Sequence, residues 1–455
     1  MSKRNFILLI IVLVIATVIG FFVISSYKQK GSTDTSTGTN FFSDFFPFGK
    51  STPITPGTET PADISGTATT NTETPTNSNL KKITDMKVAG YVIFQKERFV
   101  DVPTVTPPAP TPSTDTTNPT PKTTDTKTNK KTAIKPTAPL TEFAPSLRYV
   151  DKSTGNVYQT FADKIYEQKI TTNIVPQVHE AYFGNNGQSV VMRYLNQSNT
   201  IESFVGLLPK EILGADMFEG NQMNASFLPE NVTDLSFSSD TTKLFYMFNS
   251  KNNSFGITSD YLGTRRTQVF TSPFTEWLSA WPNNNLINLT TKPSSSVPGY
   301  MYGINPSKKD FNKILGNIKG LTTLTSPSGK LVLYADNGLN LRIYNIDSRE
   351  SVDVGAKTMP EKCTWNSTST NIYCAVPKFT DGDNYPDTWY QGETSFEDEI
   401  WRIDPQTGNG STLVDISATS KEDTDAIKLS VDVNENYLFY INKNTNYLWE
   451  LNLKQ

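Results

Sequence analysis

Leu321-Thr-Thr-Leu-Thr-Ser-Pro-Ser-Gly-Lys-Leu-Val-Leu-Tyr334 contains a short alternating run, a polar turn and a second, more continuously apolar run. Two further stretches share this plan: Leu235-Ser-Phe-Ser-Ser-Asp-Thr-Thr-Lys-Leu-Phe-Tyr246 and Leu429-Ser-Val-Asp-Val-Asn-Glu-Asn-Tyr-Leu-Phe-Tyr440. Two strands joined by a turn are barely stable alone in water, so a recurring pair implies stacking around a shared core.

The first apolar residue of each second run falls at Leu147, Val190, Leu244, Leu286, Leu331, Ile372 and Leu438, with separations of 43, 54, 42, 45, 41 and 66 residues. A period in the low forties with four short strands per unit is the spacing of a propeller blade. The two long intervals contain insertions near 209–230 and 377–399. The expected fold is therefore all-β, a seven-bladed β-propeller over residues 80–455. Its seventh unit has only a third run, Tyr447-Leu-Trp-Glu-Leu-Asn-Leu453, after Tyr437-Leu-Phe-Tyr-Ile441. An unpaired edge there would invite aggregation. Leu80-Lys-Lys-Ile-Thr84 shares Lys-Ile-Thr with Gln168-Lys-Ile-Thr171, which ends unit one, so residues 80–85 are expected to supply the missing strand.

Ser326-Pro-Ser-Gly-Lys-Leu-Val-Leu-Tyr334 resembles the repeat of TolB-type, WD40-like β-propellers, although the Trp-Asp and Gly-His signatures of true WD40 repeats are missing. The resemblance covers residues 80–455. It implies the fold and a tendency to bind proteins or peptides, and carries no catalytic residues over.

Outside the repeat the sequence speaks to location. Lys3 and Arg4 precede an apolar run from Phe6 to Ile24. Nineteen residues at about 1.5 Å each span about 28 Å, close to one bilayer core and longer than a signal-peptide core. We expect a cytoplasmic tail at 1–4 and a signal-anchor helix at 5–25, with the C-terminal part extracytoplasmic at the cell membrane. Lys28 and Lys30 after the run blunt the positive-inside signal. Residues 26–79 are rich in Ser, Thr, Pro and Gly and read as a disordered stalk. Within it Phe41-Phe-Ser-Asp-Phe-Phe-Pro-Phe48 reads either as a docking or membrane-interface element or as a resting aromatic patch. Residues 101–141 form a second Thr/Pro-rich tract, expected to be a solvated insertion.

In such a propeller, loops joining strands one to two and three to four share one face, and loops joining two to three and blade to blade share the other. The stalk and the 101–141 tract should then emerge on one face, toward the membrane, with the 377–399 insertion opposite.

That insertion is the main candidate site. It combines Tyr385, Trp389, Tyr390 and Phe396 with Asp381, Asp383 and Asp387. Three readings stand: an aromatic plug over the propeller face, a protein or glycan contact, and a calcium site suggested by Asp381-Gly-Asp383, which lacks the EF-hand spacing. Glu397-Asp398-Glu399 reads as a solvated acidic run. Cys363 and Cys374 should oppose each other across adjacent strands, within reach of a disulfide, with free buried thiols as the alternative. The single histidine, His179, removes most general-base and zinc chemistry and reads as a core or channel-lining residue.

The net charge of −4 and the isolated dibasic turns Arg265-Arg266 and Lys308-Lys309 argue against nucleic acid. No cofactor or metal is expected. The resulting expectation is a membrane-tethered, extracytoplasmic propeller acting as a non-catalytic binding or assembly module, with another envelope or surface protein as partner. The alternative is a carboxylate-based envelope hydrolase or lyase with its site at the propeller channel.

Overall fold

The computed structural model describes residues 79–100 and 140–454, apart from 173, 212, 214–222 and 381. The apolar run at 6–24, the stalk through residue 78, the Phe41–Phe48 stretch, most of the 101–141 tract and Asp381 lie outside the described residues. Among the described residues no helix is long and apolar enough to cross a membrane.

Seven four-stranded antiparallel sheets make up the molecule, a seven-bladed propeller. Leu147, Val190, Leu244, Leu286, Leu331, Ile372 and Leu438 all fall in the second strand of successive blades. These strands are legible because each has a strand on either side and a neighbouring blade above and below. Burial on both faces selects a nearly continuous apolar run rather than alternation. Ile372–Pro377 and Tyr437–Asn442 are buried at every position, whereas the outer strand Ser351–Lys357 is mostly exposed. The core is correspondingly a ring of apolar clusters, such as Leu333, Ile343, Trp365, Ile372 and Val376.

The last blade pairs Ala426–Val431, Tyr437–Asn442, Leu448–Asn452 and then Leu80–Lys82. Leu80, Lys81 and Lys82 face Leu451, Glu450 and Trp449, and the Ile83 N–H donates to Leu448 O at 2.8 Å. The Lys-Ile-Thr echo has a structural meaning. Ile83 and Ile170 each follow an outer strand and turn into the core, 5% and 1% exposed.

In blade 1, Val88–Phe99 pairs with Thr141–Asp151 out to Phe99↔Thr141, so the ladder runs up to the edges of the 101–141 tract. The insertion near 209–230 contains strand four of blade 2, Asn224–Phe227, and its earlier part follows strand three, Ile201–Leu207; the 377–399 insertion joins strands two and three of blade 6. The second contains a helical turn, Asp387–Tyr390. The antiparallel order puts residue 79, bonded through its carbonyl to the Asn452 N–H at 2.7 Å, on the face opposite that loop.

Candidate functional site

The 377–399 loop folds inward. Tyr385, Trp389 and Phe396 are buried at 3%, 6% and 3% exposure against Leu339 and Met359. Tyr390 is half-buried, its hydroxyl donating to the Glu361 carboxylate. Asp387 accepts from the Ser295 N–H at 2.9 Å and from the Ser295 hydroxyl at 2.7 Å, reaching across to blade 4. Asp383 is exposed. Tyr385, Trp389, Tyr390 and Phe396 therefore pack as a plug, while Phe379 of the same loop stays exposed at 72% on an otherwise polar solvent face. Among the described residues no group of three or more His, Cys, Asp or Glu side chains is placed to hold a metal ion.

Beneath the plug lies a charged cluster that the sequence did not reveal. The Lys362 ammonium, fully buried, contacts Asp398 at 2.7 Å, the Asp425 carboxylate, and Ala426 O at 3.2 Å. Asp425 also accepts from Trp389 Nε1 at 2.8 Å, and Lys443 donates to Trp389 O at 2.7 Å while lying 4.0 Å from the centre of its ring. Asp398 is no part of a solvated run. It is fully buried and accepts from the Ala426 N–H at 2.7 Å. The reason is strand alternation: 398 and 400 share the inward face, and Ile400 is also fully buried. Burial, reinforced by Asp425, pushes the Asp398 carboxyl up to about 6. Burial alone would pull Lys362 down, but the two carboxylates hold it above the usual lysine range.

Cys363 and Cys374 are directly opposed in adjacent strands and joined, with Cα atoms 4.0 Å apart. The bridge sits in an apolar cluster of the core with Trp365, Ile372 and Val376.

The molecule's central cavity, about 480 Å³, is lined by first strands from five blades, including Tyr91, Tyr182, Ser236, Ser279, Trp281 and Lys428. Blades 1 and 2 meet closely beside it. A Cβ at Gly90 would come within 2.0 Å of Ala181 O, so only glycine fits there. At one mouth Glu180 accepts from Arg193 at 2.6 Å and from the Tyr182 hydroxyl at 3.2 Å. Burial would raise the Glu180 carboxyl, but Arg193, Lys428 and Tyr182 outweigh it and hold the group below its usual range. Burial pushes Asp234 up to about 6 even though it accepts from the Ser279 N–H. His179 directly precedes this strand, half-buried, its pKa lowered by burial and by Lys152.

Lys428 lies on the last blade's first strand at φ 53°, in a break of register between Ile427 and Ser430. Its backbone carbonyl accepts from Tyr91 at 2.6 Å, and its ammonium donates to Ala89 O at 3.3 Å, 5.6 Å from the Tyr182 ring centre. Burial lowers its pKa, with Glu180 opposing and Arg193 assisting. These residues come from blades 1, 2, 3, 4 and 7 and share no local sequence pattern.

No family model matches the chain, and no curated protein sequence does. Solved structures are similar in fold. One is an oligogalacturonate lyase from Vibrio parahaemolyticus, 9% identical, covering 68% of this chain and 87% of that one with a TM-score of 0.47. Another is an oligogalacturonate lyase in complex with manganese, 11% identical, covering 68% and 86% with a TM-score of 0.45. A chain of the mitotic checkpoint complex is 13% identical, covering 68% and 84% with a TM-score of 0.43. The expectation that the chain is not an enzyme is corrected by this comparison, since two of the similar structures are enzymes. At these identities the likeness concerns the fold alone and assigns no reaction.

Proposed function

We propose that this chain is a cell-surface propeller, tethered through residues 6–24, whose central cavity captures a ligand on the extracytoplasmic side. The cavity carries the reading. Its volume of about 480 Å³ lies within the range of preformed small-molecule sites, and its walls combine aromatic rings with a few convergent polar groups. The apolar run near the N-terminus supports the location. A surface or envelope protein carrying the ligand group is the natural partner for a tethered module.

Two measurements test this. A Thr407→Cys variant, at an exposed turn, should react in intact cells with a membrane-impermeant maleimide, because both native cysteines are bridged. Protection from the reagent until the cells are opened would overturn the location. Separately, full-length protein in detergent should gain thermal stability with at least one compound from a panel of small polar molecules. The same incubations, read for product formation, decide whether capture is followed by turnover. A panel without a single shift would overturn the cavity reading.

A further inference from the structure

We infer that the ligand of the central cavity is a small organic anion, whose carboxylate or phosphate group is received by the Lys428 ammonium. The inference rests on the cavity reading above and deepens it.

Among the described residues Lys428 has no ion-pair partner; its ammonium meets only the Ala89 carbonyl and the face of the Tyr182 ring. Lys428 is half-buried on the cavity wall with one hydrogen bond to the protein, so its ammonium keeps donors free for a ligand. Glu180 does not take them, because it is engaged by Arg193 at 2.6 Å and by Tyr182. Asp234 is turned to the Ser279 N–H. Lys152 adds a further cation near Lys428, its own pKa lowered by burial and by that neighbour.

Geometry makes the same point. A lysine at φ 53° within a strand is in the left-handed region that side chains of this kind seldom adopt, and the bulge there re-aims its side chain. The Tyr91 hydroxyl braces that bulge, its single proton shared between Lys428 O at 2.6 Å and Phe439 O at 2.9 Å. The ammonium is therefore positioned before any ligand arrives, which lowers the cost of binding. An anion bearing several oxygens would satisfy the donors that the Lys428 ammonium leaves free.

Calorimetry on the full chain in detergent, with glucose, glucuronate and glucose 6-phosphate as probes, isolates the anionic group on a constant scaffold. At least one anionic probe should bind with a Kd of about 1 mM or tighter, and glucose at least about tenfold more weakly. Lys428→Gln should weaken anion binding by about tenfold or more, with Lys428→Arg retaining most of it. Lys330→Ala, an exposed lysine in a turn, should change nothing. Thermal midpoints of all variants report whether each is folded; if Lys428→Gln fails to fold, the contrast between Lys428→Arg and the glucose control decides. Whether glucuronate or glucose 6-phosphate binds tighter tells carboxylate from phosphate. Equal binding of glucose and the anions, or unchanged binding in a folded Lys428→Gln, overturns the anion assignment and leaves the cavity reading standing. Binding of none of the probes overturns the anion assignment, and together with an unshifted panel it overturns both.

Discussion

Lys81 and Glu450 face each other across the seam that closes the ring, directly paired in register with Lys81 Nζ 2.9 Å from Glu450 Oε1. Glu450 is almost wholly buried, and its second oxygen has no partner among the described residues. Burial, only partly offset by Lys81, pushes its carboxyl from 4.5 up to about 7. A carboxyl raised on folding binds more protons in the folded state than in the unfolded one between those values. Its contribution to stability is therefore greatest below the unfolded pKa and declines as pH rises through about 7. Urea unfolding of the described propeller between pH 4.5 and 8 should show this decline, and Glu450→Gln should flatten it. At pH 8 the variant should be more stable by on the order of 2 kcal/mol. An unchanged pH profile in the variant would remove Glu450 as the source.

The same seam makes the residues before blade 1 part of the fold. Deleting 78–86 removes the outer strand of the last blade, the buried Leu80 and Ile83, and the Lys81 pair together. Such a chain should lose cooperative thermal unfolding and expose the edge of Leu448–Asn452 to association. Deleting 50–75 should leave the transition intact. Calorimetry and light scattering on the two deletions separate these outcomes, and a cooperative transition in the first would show that the ring closes without its borrowed strand.

The architecture was legible because a blade's second strand is buried on both faces, and Tyr437-Leu-Phe-Tyr-Ile441 cannot be mistaken for surface. The closing strand was legible through one short echo, Lys82-Ile83-Thr84 against Lys169-Ile170-Thr171, since equivalent positions in two blades meet equivalent neighbours. The charged interior was not. Lys362 and Asp425 look like surface residues, because lysine and aspartate are almost never fully buried unless paired, and their pairing spans two blades. Asp398 offered one signal, its alternation with Ile400, masked by Glu397 and Glu399 on either side. Glu180, Asp234 and Lys428 converge only when the ring closes, so no window of sequence contains them together.

The bridge between Cys363 and Cys374 closes a short loop of 11 residues in sequence separation. In the chain-entropy view a loop of that size is worth about 2–3 kcal/mol. The double change Cys363→Ala and Cys374→Ala should lower the unfolding free energy by about that amount. Mass spectrometry of the native chain with and without reductant should show the two-hydrogen difference of one bridge. Equal stability of the double variant and the native protein would mean that the buried apolar contacts of blade 6 hold the hairpin without the bond.

Lys362 joins the plug to the propeller, since Asp425, which it contacts, also receives Trp389 Nε1 and the Phe396 N–H at 3.3 Å. Lys362→Met would leave Asp398 and Asp425 buried together without their common cation. Breaking a buried pair in this way costs about 3–5 kcal/mol, whereas removing all the charges at once is often nearly neutral. The single variant should therefore be strongly destabilised, and Lys362→Met with Asp398→Asn and Asp425→Asn should recover much of the loss. The plug supplies a local readout. Proteolysis within 378–397 should rise in Lys362→Met and in Asp425→Asn, because both loosen the support beneath Trp389. It should remain slow in Asp383→Asn, whose side chain is exposed. Equal cleavage in all three would mean that the aromatic packing of Tyr385, Trp389 and Phe396 holds the loop without the charges below. In that case the ion cluster would contribute to the seam between blades 6 and 7 instead.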